Sequence, residues 1–308
     1  MNISPDYIIE RKNNKTQLRN WKYIVIFLVV IICCLIGWKQ SSFSAMNKEF
    51  GKDYIGSILI EDIIFEDAKR DRKLEKIIKN EEVKALIVHV NSPGGTVVGS
   101  EKIYNILRKI SVVKPVVVVM GTLAASGGYL ISLGADYIIS HNGTITGSIG
   151  VIFQTAEITE LAEKLGVKFN NFKSGELKAA PNPTEKVTDS VRAAIMLNVQ
   201  DTYEYFVELV AVRRGFSMGE ATKLADGRIY SGRQALKLKL VDAIGDQDDA
   251  LKWLQNVKNV DVKLKVKEIT LKPKPKLLEM IFDDMDNILP YFFKNKFQGL
   301  GAILTLWQ

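Results

Sequence analysis

The chain has 308 residues, 47% hydrophobic and 25% charged, with a formal net charge of +7. That allows one domain of ordinary size with extra segments at the ends. The lysines concentrate near the two ends, in RKNNKTQLRNWK and VKLKVKEITLKPKPK, without alternating aromatic residues, so nucleic acid is not expected as a partner; the adjacent Cys33 and Cys34 lie in an apolar run and say nothing about a disulfide framework.

Residues 1–22 are polar and basic, with Arg11, Lys12, Lys15, Arg19 and Lys22 against Asp6 and Glu10. The run from Tyr23 to Trp38 carries no charge and has an aromatic residue at each end. At about 1.5 Å per residue it covers somewhat less than a ~30 Å hydrocarbon core, a length that also suits the apolar part of a signal peptide. Trp21, Tyr23 and Trp38 suit the interface, and Lys22 and Lys39 can snorkel. The expectation is a retained transmembrane helix over 23–38, a cytoplasmic tail over 1–22, a linker over 39–52, and the rest of the chain facing outward.

The folded part is expected over 53–260. YIGSILIEDIIF reads as a strand, and DAKRDRKLEKIIKN as a helix with Leu74, Ile77 and Ile78 on one face. KALIVHV, Lys84 to Val90, is a second buried strand, which runs into a turn at Pro93, Gly94 and Gly95 and a helix from Val97. The same unit recurs in PVVVVMGTLAASGGYLISLGA, followed by DYIIS at 136–140 and by TGSIGVIFQ at 146–154, both strand candidates. A helical pattern stops at Gly166, a lysine-containing loop follows, and a long amphipathic pattern starts at Asp189. Repeated strand–helix units predict an α/β fold with parallel pairing. Residues 261–308 read as a basic and apolar C-terminal extension.

Ser126 stands at a strand-to-helix junction between two alanines and two glycines. Small neighbours let another backbone approach its hydroxyl, and unpaired N–H groups at a helix start can hold an oxyanion. The alternative is that Ser126 only caps the helix. Both glycine turns, NSPGG and ASGG, end buried strands, and a parallel sheet gathers such ends on one side, so the N–H groups of Gly95 and Gly127 could form an oxyanion hole. The base is harder to assign. His89 lies inside a strand and suits a sheet-face role, whereas His141 opens a polar turn. A lysine can replace histidine where burial favours its neutral amine.

NSPGG, MGTLAASGGYLIS, TGSIGV, FKSGELKAAPNPT and LADGRIYSGRQALKLKLVD follow in that order behind one N-terminal apolar run. Together they resemble the signal peptide peptidase A family of bacterial membrane serine proteases, in its short single-repeat form, over roughly residues 54–250. The resemblance implies a ClpP/crotonase-like spiral of ββα units and a Ser/Lys dyad. Ser126 matches the nucleophile, Lys178 the base, Gly95 and Gly127 the oxyanion positions, and Ser148 a serine that orients the lysine. It further implies a homo-oligomeric ring in which Lys178 serves the Ser126 of a neighbour, remnant signal peptides and other apolar peptides as substrates, and a single-pass protein of the bacterial cytoplasmic membrane with its catalytic domain outside. No metal or nucleotide cofactor is expected, because no His/Cys/Asp/Glu cluster has ligand spacing and no GxxxxGK(S/T) sequence occurs. Lys173 opens the same motif as Lys178 and reads as a solvated loop lysine. A lysine base must be neutral, so activity is expected to rise toward alkaline pH. A crotonase-type acyl-CoA enzyme and a non-catalytic scaffold of the same fold are the alternatives.

Overall fold

The structure, a computed structural model of the chain, describes residues 53–261 and 263–271 together with Val29 and Ile31. The tail, anchor and linker expected over 1–52 otherwise lie outside the described residues, as does the extension beyond 271. Among the described residues no helix is long and apolar enough to cross a membrane.

Strands β1 (Tyr54–Glu61), β2 (Val83–Ser92) and β3 (Val116–Ala125) run parallel at the centre of an eight-stranded sheet. Their β-branched runs are buried on both faces, as a parallel sheet covered on two sides requires. Alternation along β2 sends Leu86, Val88 and Val90 to one core. Ala85 and Ile87 go to the other. The first core is closed by α1 (Ala68–Lys79) and α2 (Val97–Val113), through Leu74, Ile103, Leu107 and Ile110, and the second by α8 (Gln247–Lys258), through Ala250 and Leu254. At about 1.5–3 kcal/mol for each fully buried aliphatic side chain, these two layers dominate the stability of the sheet.

One irregularity positions the site. Val90 pairs with Met120, but the next pair is Ser92 with Ala124, so β3 advances four residues while β2 advances two. Asn91 fills the gap, its Oδ1 accepting the Leu123 N–H at 3.1 Å. The first half of β3 pairs with β4 (Tyr137–Ser140), and its last residues pair with β5 (Ile145–Gly147). β5 in turn pairs antiparallel with β6 (Ile229–Ser231), which makes the sheet mixed. The α/β expectation therefore holds, with one antiparallel pair added to the expected parallel ones.

Two stretches differ from expectation. TGSIGVIFQ is a strand only up to Gly147, because Gly147 at φ 77° and Ser148 at φ 49° turn the chain out of the extended region. Beyond residue 260 the chain still packs on the sheet: β8 (Val266–Glu268) pairs parallel with β1, and Leu271 is buried. The remaining helices among the described residues are α3 (Gly127–Ser132), α4 (Thr159–Lys164), α5 (Asp189–Arg214), α6 (Met218–Leu224) and α7 (Gly232–Lys237), and β7 (Ala243–Ile244) pairs parallel with β4. Gly215 at φ 67° ends α5 in the left-handed conformation that glycine tolerates best.

Candidate active site

Ser126 joins β3 to the short helix α3 (Gly127–Ser132) and holds φ 51°, ψ −120°, a conformation costing on the order of 1–3 kcal/mol for a residue with a Cβ. Two backbone bonds enforce it. The Ser126 N–H donates to Gly147 O at 2.8 Å, and Ser126 O accepts the Leu130 N–H at 2.9 Å. The side chain does not cap the helix, and among the described residues its hydroxyl has no hydrogen-bond partner. The reading of Ser126 as a mere N-cap therefore fails on geometry: the bond that would define it is not made.

NSPGG arrives beside this turn because Ser92 pairs with Ala124. Approach is so close that a Cβ at Gly94, where φ is +103°, would stand 2.6 Å from Gly127 N, and one at Gly127 would stand 2.3 Å from Ser100 Oγ. Gly95 is held from the other side by the segment after β1. The Ile64 N–H donates to Gly94 O and the Thr96 N–H to Ile64 O, both at 2.8 Å, and a Cβ at Gly95 would stand 2.0 Å from Ile64 O. Thr96 then caps α2, accepting the Gly99 N–H at 3.2 Å. Among the described residues neither the Gly95 N–H nor the Gly127 N–H donates a hydrogen bond. Two free amides can stabilise a tetrahedral oxyanion, and the free hydroxyl beside them can serve as a nucleophile.

Ser126, Gly95 and Gly127 line one cavity of about 250 Å³, walled by Val97, Leu130, Val151, Ile152 and Phe206, with Ser100, Thr202 and Tyr205 adding polar atoms. Burial raises the Tyr205 phenol above its ordinary range, and the nearby Glu101 carboxylate raises it further. A mostly apolar cavity with a few hydroxyls suits an uncharged side chain.

Lys178 is not part of that cavity. It is exposed and lines another, with Phe172, Ala179, Asn182 and Pro183, on the loop between α4 and α5. Among the described residues its amine has no hydrogen bond or ion pair. Lys173, expected as a solvated loop lysine, is instead paired with Glu185. Ser148 adjoins the site through the backbone: it follows Gly147, its N–H donates to Arg228 O at 2.8 Å, and its hydroxyl is without a partner among the described residues. His141 is exposed and contributes its backbone N–H to Thr144 Oγ1 at 3.0 Å. His89 sits on the sheet face covered by α8, with Nε2 3.0 Å from Gln247 Oε1. Neither histidine lines the cavity of Ser126.

Three contributors were not singled out from the sequence: Gly147, whose carbonyl fixes Ser126; Ile64, which braces the Gly94–Gly95 turn; and Gly150–Ile152, which wall the cavity. The paired glycines of TGSIG were the available signal, since clustered glycines mark close backbone approach.

A protein-family model described as peptidase family S49 matches residues 108–261, half of the chain. A candidate protease of Methanocaldococcus jannaschii is 36% identical over 77% of this chain and 82% of its own length. A candidate signal peptide peptidase of Enterococcus faecium is 40% identical over 61% of this chain and 55% of its own length. Protease 4 of Haemophilus influenzae is 32% identical over 77% of this chain and 37% of its own length. The family match contains Ser126, Gly127, Ser148 and Lys178, and Gly95 precedes it.

Proposed function

The chain belongs to peptidase family S49 and is a serine-type protease, and from this premise we propose that it cleaves peptides through Ser126 as nucleophile and Lys178 of a second copy as base. One observation carries the proposal: the Ser126 hydroxyl and the Gly95 and Gly127 amides, all without partners among the described residues, line the same cavity. The neutral lysine amine takes the Ser126 proton, the alkoxide attacks the peptide carbonyl, and the oxyanion rests on the two amides. The protonated lysine gives its proton to the leaving nitrogen. Water, deprotonated by the same amine, then hydrolyses the acyl-enzyme ester.

The separation of Lys178 from this cavity within one chain supports a shared site. A lysine serves as a base where burial favours its neutral amine, so the exposed Lys178 needs another surface to enclose it. A homo-oligomeric ring supplies that surface, and Ser148 orients the amine. The charge-free run 23–38 anchors the protein in the cytoplasmic membrane with the protease domain outside. The apolar walls of the cavity favour remnant signal peptides and other apolar peptides, a substrate class that the name of the Enterococcus faecium relative also carries. Membership of a peptidase family sets aside the acyl-CoA alternative.

The test is covalent. A fluorophosphonate probe is expected to add one mass increment, on the peptide containing Ser126, and none to Ser126→Ala. Wild-type protein that stays unlabelled while folded would favour a non-catalytic scaffold.

A further inference from the structure

The turn Asp226–Gly227–Arg228, which precedes β6, lines neither cavity described above, yet its backbone holds the segment on which Ser126 depends. Arg228 O accepts the Ser148 N–H at 2.8 Å, and the Gly227 N–H donates to Ile149 O at 3.1 Å. Between these two bonds and β3 lies Gly147, whose carbonyl accepts the Ser126 N–H at 2.8 Å. Gly147 is closely packed, since a Cβ there would stand 2.5 Å from the Tyr230 ring and 3.1 Å from Arg228 O. The turn is shaped by one carboxylate. Asp226 Oδ1 accepts the Arg228 backbone N–H at 3.1 Å, the Arg228 Nε reaches Oδ1 at 2.8 Å and Oδ2 at 2.7 Å, and a guanidinium NH₂ completes an ion pair.

An exposed ion pair contributes little to global stability. A clasp that folds back on its own turn does something else: it fixes the direction in which the Arg228 carbonyl points. We propose that Asp226 is a positioning residue for the nucleophile, acting through Arg228 O, the Ser148 N–H and Gly147 O to hold Ser126 in its strained conformation. The inference rests on the reading of Ser126 as nucleophile. The chain of contacts is short and entirely backbone after the first link, so loss of the carboxylate is transmitted to Ser126 rather than absorbed by side-chain rotation.

The experiment uses the full-length protein in detergent, with an apolar fluorogenic peptide and a fluorophosphonate probe. Asp226→Ala is expected to lower kcat by about ten- to a hundredfold, in line with the cost of small misplacements of a reacting group, with KM within about twofold of wild type. The probe should label Ser126 more slowly by a similar factor. Asp226→Asn, which keeps an oxygen for the Arg228 N–H, should retain most of the rate. Lys252→Ala, which breaks the comparable exposed pair with Asp249, should change nothing. The inference is overturned if Asp226→Ala labels and turns over at the wild-type rate, or if its loss appears in KM or in the melting temperature rather than in kcat. Failure of the underlying reading looks different: wild-type protein would then be unlabelled at Ser126, or Ser126→Ala would remain active.

Discussion

At the scale of single residues, the site is a problem of close approach. Gly94, Gly95 and Gly127 bring two chain segments together at distances no side chain permits. Gly95→Ala places a methyl carbon 2.0 Å from Ile64 O, so the amide must move. Loss of one oxyanion donor costs about 10²–10³ in kcat, and peptide cleavage by Gly95→Ala should fall by that order. Gly143→Ala is the control: it has open space around its Cβ and lies in a turn outside the cavity, so activity should be unchanged. Tyr129 is fully buried, its phenol raised by desolvation, and its hydroxyl donates to Leu240 O at 2.9 Å. Tyr129→Phe leaves that carbonyl without its donor and should lower stability by about 1 kcal/mol, read from the urea midpoint.

At the scale of elements, α3 is fixed at both ends. Ser126 sets its start, and its far end is held by Arg213 of α5, whose guanidinium donates to Leu133 O and Ala135 O, each at 2.8 Å. Arg213→Ala should destabilise the fold by about 1.5–3 kcal/mol, as loss of charge-assisted bonds to partly buried carbonyls does; an unchanged urea midpoint would contradict this.

The loop bearing Lys178 has its own charge logic. The hydrogen bond from Lys173 holds the Glu185 carboxyl below its usual range, and the Ser190 and then the Thr188 hydroxyl do the same for Glu176. Because both folded values lie below the unfolded one, the stabilisation is complete above about pH 4.3 and is lost as pH falls through the depressed folded values. Hydrogen exchange over residues 170–190 should therefore be constant between pH 6 and pH 8, after correction for intrinsic rates, and lose protection below about pH 4. Equal protection at pH 3 and pH 7 would sink the idea.

Much of this scale was legible in the sequence. The β-branched runs of β2 and β3 and the long periodic α5 are legible because burial and periodicity agree there. The stretch after Gly147 is not legible in this way, because its apolar content suggests a strand while two successive positive φ values take it out of the sheet and leave Ile152 and Phe153 exposed. β8 does not announce itself as part of the sheet, because Lys-rich alternation suits an edge strand as well as a solvated tail.

At the scale of the whole molecule, the fold of one chain gathers Ser126, Gly95 and Gly127 but leaves Lys178 exposed at a different cavity. Strand ends on a parallel sheet meet by local rules, so that half of the site could be read from two glycine turns. On the proposed reading the base for Ser126 depends on how copies assemble, which periodicity and turn chemistry do not encode. The central claim is that the base comes from a second copy. The most direct measurement is peptide cleavage by full-length Ser126→Ala, by Lys178→Ala, and by a 1:1 co-assembled mixture of the two. In a closed ring with random placement, about one site in four combines an intact serine with an intact neighbouring lysine, so the inactive single variants should recover roughly a quarter of wild-type activity when mixed. A mixture as inactive as its components, or a Lys178→Ala protein that cleaves at the wild-type rate alone, would contradict the account.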